Sequence, residues 1–435
     1  MYMKWSIYNK LIDSSEDNEV VFFYNYFRSK LLTLDKRLAS LIESSSDDPT
    51  KISKIHPDLY KSLLDDRFVI SDEINEVAEC VNAIDRKFSS DEILRITVNP
   101  TLDCNLKCWY CYENHVKDSV MTNDIIKGVE LFIENSVKSQ TLKKVQLSFF
   151  GGEPLLQYKK VVKPLAETVK SICTKYEKKL VVSFTTNGVC LTNKVVEELK
   201  NLSSEISVQV AFDGGRDFHN KVKCFPSGLG SYDIVKSNLF NAIQNEILTT
   251  IRCNYTLENL DSFKFLVDDF REYWEFPNLR FSFHKVWQEP ETLELHSKIN
   301  ELKDKVSGMT FQSNIQSFLG DSISPCYGDF DNNYVANYNG DVYKCTARDF
   351  KPENRIGHLS SSGEIILNDN AYLRKRNRLT SQCSDCRLLP ICTICFQQRF
   401  ESMDDKCPIP AVRGNADMNI KKYFHDVKNL NRNEK

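Results

Sequence analysis

The chemistry of this 435-residue chain is concentrated in its cysteines, fifteen in all. Cys104, Cys108 and Cys111 stand at C-x3-C-x2-C in the segment TVNPTLDCNLKCWYCYENH, on a loop that leaves an apolar, strand-like run. Three thiolates so spaced can wrap one corner of an iron–sulfur cubane. Such clusters ordinarily take four Cys ligands, so three leave one iron open to a substrate or cofactor. A structural zinc ion would want a fourth protein ligand, and His115 is the local candidate. A second set follows as Cys326, Cys345, Cys383, Cys386, Cys392, Cys395 and Cys407. Cys383, Cys386, Cys392 and Cys395 alone could form a zinc ribbon, which would leave Cys326, Cys345 and Cys407 unexplained. Cys80, Cys173, Cys190, Cys224 and Cys253 are scattered, most in apolar or strand-like contexts, and read as small buried hydrophobes.

Composition narrows the setting. Fifteen cysteines in a reducing compartment point to metal or redox chemistry rather than disulfides. The net charge is −3 with 27% charged residues, so the basic excess of a nucleic-acid binder is missing. No apolar run reaches the eighteen or so residues of a membrane span, and the N-terminus lacks the pattern of a signal peptide. The expectation is a cytoplasmic protein of two or three domains.

From residue 91 to 290, strand patterns alternate with helical ones, the signature of βα units on a parallel sheet. Strands are expected at 93–98, 144–150, 180–186, 206–212, 249–255 and 279–286, and helices at 122–138, 157–176, 192–201, 231–246 and 260–273. Six strands are fewer than the eight of a closed barrel. One face of the strands is apolar (Leu94, Ile96, Val98, Leu147, Phe149), and the other is polar (Gln146, Ser148, Thr185, Arg252, Asn254). A packed barrel interior would be filled with branched apolar residues. The polar face therefore predicts an α/β fold with a partial (β/α)6 barrel whose concave side holds a polar ligand. A sheet with one solvated face is the alternative. Residues 1–90 read as a small α+β unit of winged-helix kind, fit to bind a peptide or simply to cap the barrel. Residues 291–325 read as a helical bridge, 326–410 as a cysteine-rich domain with little periodicity, and 411–435 as a polar tail ending in a surface helix.

The C-x3-C-x2-C loop, with Tyr110 just before its last Cys, resembles that of radical S-adenosylmethionine enzymes. In that family the open iron of a [4Fe-4S] cluster binds the methionine amine and carboxylate, and one electron yields a 5′-deoxyadenosyl radical. Further motifs fall in register. Phe149-Phe150-Gly151-Gly152-Glu153-Pro154 is like the family's GGEP element, and Thr185-Thr186-Asn187-Gly188 ends the third strand. Val210-Ala211-Phe212-Asp213-Gly214 resembles a Ser-x-Asp-Gly pattern with Ala211 in the serine's place, and Lys223 stands where an arginine often follows. The resemblance implies cofactor contacts from Tyr110, Gly151, Gly152, Glu153, Asn187 and Asp213. Arg252 on the polar face could supply the missing cation through a bidentate bond, with Asn254 beside it as a further contact. The second cysteine set resembles the SPASM motif, one residue short in its last pair. By that resemblance Cys383, Cys386, Cys392 and Cys407 close one auxiliary [4Fe-4S] cluster. Cys326, Cys345 and Cys395 would hold another whose fourth ligand is not apparent.

The expected cofactors are thus S-adenosylmethionine and three [4Fe-4S] clusters. The expected activity is that of a maturase of ribosomally synthesised, post-translationally modified peptides. Such an enzyme abstracts a hydrogen from its peptide and installs a thioether or carbon–carbon crosslink. Its partners would be a precursor peptide, gripped through a leader segment by the N-terminal unit, and a flavodoxin- or ferredoxin-like reductant. An anaerobic sulfatase-maturing enzyme is an alternative, though those enzymes carry an acid where Thr346 follows the second SPASM cysteine. A zinc-binding non-enzymatic module is the alternative from another class. Candidate general bases are Asp213 and His284, with Lys285 and Tyr338 behind them.

Overall fold

A computed structural model describes residues 2–13, 19–290, 292–306, 326–376, 379–392, 394–402 and 407. The expected tail helix and most of the expected bridge after residue 306 lie outside these residues. The described residues belong to two compact units, one drawn from 1–90, 312–331 and 373–435 and the other from 91–311 and 332–372.

The first unit opens with strands β1 (Met3–Trp5), β2 (Asn9–Asp13), β3 (Val20–Asn25) and β4 (Lys30–Asp35). The aromatic run VVFFYN becomes the middle strand of an antiparallel β2–β3–β4 sheet. Helices α1 (Lys36–Ser44), α2 (Lys51–Ile55) and α3 (Pro57–Asp65) follow, then β5 (Val69–Ser71) paired to β1, and α4 (Glu76–Phe88). Starts are set by local chemistry. Asp35 accepts from the Leu38 N–H at 2.8 Å and Asn75 from Ala78 at 3.0 Å, satisfying donors that a helix cannot pair internally. Because strand side chains alternate, β3 feeds two cores. Phe23 packs with Ile42, Leu59 and Leu63 of α1 and α3, while Phe22 and Tyr24 pack with Cys80, Leu388 and Leu389. The second of these cores also receives Cys383 and Cys386 at its edge. The buried Glu76 carboxylate accepts from Ser6 Oγ at 2.8 Å and the Ile7 N–H at 3.1 Å, tying α4 to the start of the chain.

The second unit carries the expected βα alternation. Its elements are β6 (Ile93–Val98), α5 (Asn123–Val137), β7 (Lys144–Phe149), α6 (Lys163–Lys175), β8 (Lys179–Thr186), α7 (Asn193–Lys200), β9 (Ile206–Phe212), α8 (Arg216–Val222), α9 (Tyr232–Gln244), β10 (Leu248–Tyr255), α10 (Phe263–Asp269), β11 (Leu279–Lys285) and α11 (Leu293–Val306). Strands β6 to β11 lie parallel and in sequence order. Leu94, Ile96, Val98, Leu147, Phe149, Val182, Phe184, Val208 and Val210 are buried under the helices, so the apolar face is the convex one. The sheet does not close. Its β6 edge is covered by β12 (Asn333–Ala336), which runs parallel to β6 and continues antiparallel into β13 (Asp341–Tyr343), β14 (Gly357–Leu359) and β15 (Ile365–Leu367). Helix α12 (Asp369–Arg376) follows, and α13 (Phe396–Glu401) belongs to the first unit. Strands of three or four residues are too short to show a period, which is why this stretch reads in sequence as turns. Helix α8, only seven residues long, escapes for the same reason. No helix among the described residues is long and apolar enough to cross a membrane.

Gly128 lets α5 lie on the β14–β15 turn: a Cβ there would stand 2.4 Å from the Ser360 carbonyl oxygen. Helix propensity alone favours Ala over Gly by about 1 kcal/mol, but overpacking against backbone costs about 1–3 kcal/mol. Gly128→Ala is therefore expected to lower the melting temperature by a few degrees in a calorimetric scan.

Candidate functional site

The candidate site is a cavity of about 280 Å³ in the second unit, at the carboxyl ends of its parallel strands. Its wall brings together Cys104, Cys108, Tyr110, Cys111, Gly151, Gly152, Asn187, Arg252 and Asn254, all expected from sequence. The cysteine loop is shaped by Asp103, whose carboxylate accepts from the Cys104 N–H at 2.8 Å and the Asp118 N–H at 3.1 Å. Ser119 Oγ holds the Leu102 N–H at 2.9 Å. The Cys111 N–H donates to the Cys108 carbonyl at 3.1 Å, so the last two thiols sit on one turn.

Glycine is required beside this loop. Gly151 has φ +85°, and a Cβ on Gly152 would stand 2.1 Å from the Asp103 carbonyl oxygen. The backbone of the β7 loop thus lies directly against the cysteine loop, and the Glu153 N–H donates to that same Asp103 carbonyl at 2.8 Å. The Glu153 carboxylate is fully buried and absent from the cavity wall. It accepts from Thr186 Oγ1 at 2.7 Å, the Asn187 N–H at 2.7 Å and the Leu155 N–H at 3.0 Å. Burial pushes its pKa up, against the pull of those donors. Its side chain joins the ends of β7 and β8. Asn187 continues the link, its Nδ2 donating to Asn105 Oδ1 at 2.7 Å and reaching Cys104 Sγ at 3.7 Å.

On the far wall, Asn254 Nδ2 donates to the Tyr110 hydroxyl at 3.0 Å and Arg252 Nε donates to Asn254 Oδ1 at 3.0 Å. Arg252 and Asn254 are two residues apart on β10, so both point to the concave side. Asp213 is buried behind this wall, 3.9 Å from the Lys223 ammonium. Lys223, also buried, donates to Cys108 Sγ at 3.3 Å. Desolvation opposes its charge, but Tyr110, Cys108 and Asp213 outweigh it and hold the ammonium well above the usual lysine range. From sequence Lys223 is a departure from a pattern; its direction, toward the thiols, is visible only in the structure. Glu113 lines the cavity unforeseen, its carboxyl pushed up to about 8 by burial and the nearby Glu153. Trp287 and Gln288 do likewise, Gln288 Nε2 donating to the Tyr110 carbonyl at 3.3 Å. Of the candidate bases, Lys285 lies on the wall, whereas His284 bonds Ser282 on β11 and Tyr338 packs against the main core.

The donor set suits a cluster with an open iron. Three thiols face the cavity, and among the described residues no three His, Cys, Asp or Glu side chains converge as ligands of a single ion. Ligands of an iron–sulfur cluster stand on different irons. Burial pushes Cys104 up to about 12 and Cys111 up to about 11, so metal binding must displace their protons. His115 Nε2 lies 3.5 Å from Cys111 Sγ. In the first unit Cys383, Cys386, Cys392 and Cys407 line one small cavity, where Arg399 donates to Cys392 Sγ at 3.3 Å. Cys326 and Cys395 are reduced thiols in hydrogen-bond contact, and Cys345, in the second unit, accepts from the Ala347 N–H at 3.2 Å.

A half-barrel with three thiols on the loop after its first strand defines a class, and residues 98–269 match the family model of the Radical SAM superfamily. The likeness to that superfamily lies in this part of the chain. Among curated proteins, the radical SAM cyclopropyl synthase TigE of Paramaledivibacter caminithermalis is 25% identical over 266 residues. That match takes in 55% of this chain and about half (52%) of TigE. The serine-type anaerobic sulfatase-maturating enzyme of Bacteroides thetaiotaomicron is 24% identical over 358 residues, 70% of this chain and 83% of that protein. Among solved structures, native anSMEcpe with bound AdoMet and Cp18Cys peptide aligns with 79% of this chain and 100% of its own, with a TM-score of 0.59 at 18% identity. That likeness is one of fold.

Gly152→Ala is expected to push the cysteine loop off the β7 turn. Anaerobic reconstitution followed by iron and sulfide assay should show fewer clusters per chain, while far-ultraviolet circular dichroism stays at the wild-type value.

Proposed function

We propose that this chain is a radical S-adenosylmethionine maturase that oxidises a residue of a ribosomally made precursor peptide and installs a crosslink. The observation that carries the reading is the meeting of three thiols, two glycines and a polar strand face in one cavity. Cys104, Cys108 and Cys111 would hold the radical-initiating cluster. Gly151 and Gly152 would let backbone carbonyls approach the cofactor's ammonium, and Arg252, braced by Asn254, would meet its carboxylate. When bound, the cluster and S-adenosylmethionine supply a one-electron reductive cleavage that ends in hydrogen-atom abstraction. Tyr110 and Asn254 lock the cofactor-facing wall, and Trp287 with Tyr112 forms an aromatic lip, their rings 6.3 Å apart.

A peptide substrate is supported by the kinds of protein the chain is similar to, and by the first unit. Its antiparallel sheet has β2 and β4 as edge strands, to which a leader segment could add by main-chain hydrogen bonds. Tethering would keep the modified residue at high effective concentration. The four thiols around the cavity of the first unit support an auxiliary cluster that would take the second electron. A flavodoxin- or ferredoxin-like protein would deliver the first electron. The sulfatase-maturing reading is favoured by the length of that match, but the extra N-terminal unit fits it poorly.

Two variants test the proposal under anaerobic conditions. Replacing Cys104, Cys108 and Cys111 with Ala should remove one cluster's iron and abolish cleavage of S-adenosylmethionine. Cys392→Ala should spare cleavage yet stop modification of a candidate precursor peptide, read as loss of two hydrogens by mass spectrometry. Modified product from the Cys392 variant, or stoichiometric zinc in place of iron, would overturn the reading.

A further inference from the structure

Most of the cavity's polar side chains are committed to neighbours on the wall. The Lys223 ammonium is committed to a thiol, 3.3 Å from the sulfur of Cys108. Its side chain is 6% exposed and that of its nearest carboxylate, Asp213, 1%. The placement is firmly held. The Lys223 N–H closes α8 on the His219 carbonyl at 2.7 Å, and its own carbonyl accepts from Ser231 Oγ at 2.7 Å. Ser231 is in turn held by His219 Nε2 at 3.0 Å. The ammonium also lies 5.6 Å from the centre of the Tyr110 ring. A lysine anchored at its backbone and shielded from water is a fixed positive charge whose Coulomb effect is far larger than at a surface.

We propose that Lys223 and Asp213 form a buried charge pair that sets the reduction potential of the cluster held by Cys104, Cys108 and Cys111, with Lys223 a positioning residue acting through the Cys108 thiolate. This rests on the reading of those three cysteines as cluster ligands. Hydrogen bonds to ligand sulfurs and nearby charge are among the levers that move such potentials. An ammonium donating to a ligand thiolate favours the form that carries one more electron, so Lys223 raises the potential. Asp213, whose carboxylate lies 3.9 Å from the same ammonium, opposes it and limits the rise. The electron comes from the external reductant. With Arg252 on the opposite wall available to the cofactor's carboxylate, Lys223 is free for the cluster, which gives a role to a lysine standing where related sequences often carry arginine.

The test is a potentiometric titration of the reconstituted full-length protein without S-adenosylmethionine, followed by electron paramagnetic resonance. The relevant signal is the one missing from the variant with Ala at Cys104, Cys108 and Cys111. Lys223→Met should disfavour reduction about tenfold, a fall of about 59 mV for one electron. Lys223→Arg should restore most of the potential, and Asp213→Asn should raise it. An unchanged potential in Lys223→Met with full iron and sulfide content would overturn the proposal. So would weakened S-adenosylmethionine binding with the potential unmoved, since Lys223 would then be gripping the cofactor. If Lys223→Met does not load a cluster, Asp213→Asn decides: a rise supports the pair, and no change or a fall overturns it. Wild-type protein that loads no cluster on the three cysteines would instead sink the cluster reading itself.

Discussion

The buried carboxylate of Glu153 holds the candidate site together. Its two oxygens take donors from the end of β8 and from the turn after β7, while its backbone N–H ties that turn to the cysteine loop after β6. A carboxylate removed from water is costly unless its lone pairs are filled, so these strand ends are compelled to meet with little freedom. Removing the carboxylate would leave two buried donors, Thr186 Oγ1 and the Leu155 N–H, and the half-buried Asn187 N–H unpaired, at about 1–3 kcal/mol for each buried one. The thiols inherit their placement from this joint. Asn187 gives its N–H to Glu153 and its side chain to Asn105, beside Cys104.

The remaining architecture follows from leaving the sheet open. Six parallel strands bury their apolar face under helices and turn polar residues inward. The exposed edge of β6 is taken by β12 rather than by a seventh βα unit, which protects it from pairing elsewhere without filling the concavity. The polar concave face thereby lines a cavity instead of a core. In the first unit the same economy appears at β3, whose alternating aromatics supply two cores at once, one of which also packs against Cys383 and Cys386.

Much of this was legible in the sequence because the signals are local or periodic. The six strands and their two faces follow from alternation, and the expected ranges agree with β6 to β11 to within a residue or so at each end. The three thiols and the paired glycines follow from spacing. What alternation cannot convey is where a side chain goes after it leaves a loop. The resemblance implies a cofactor contact from Glu153, and only the structure shows that its carboxylate takes backbone and threonine donors. Lys223 stands where an arginine often follows, and only the structure shows that it points at a thiol. Asp213 lies behind the wall, balancing that lysine. The contacts of Glu153 with β8 and of Lys223 with Cys108 join residues 33 to 115 positions apart, and no local period encodes them.

The account stands on one iron left open by three cysteines for the methionine moiety of S-adenosylmethionine. Electron–nuclear double resonance on the reduced protein, with the cofactor isotope-labelled at its amino nitrogen, reads that contact directly. The account predicts a hyperfine coupling from a nitrogen bound to the cluster, absent when Cys104, Cys108 and Cys111 are Ala. A fully loaded protein that binds the labelled cofactor and shows no such coupling would contradict it.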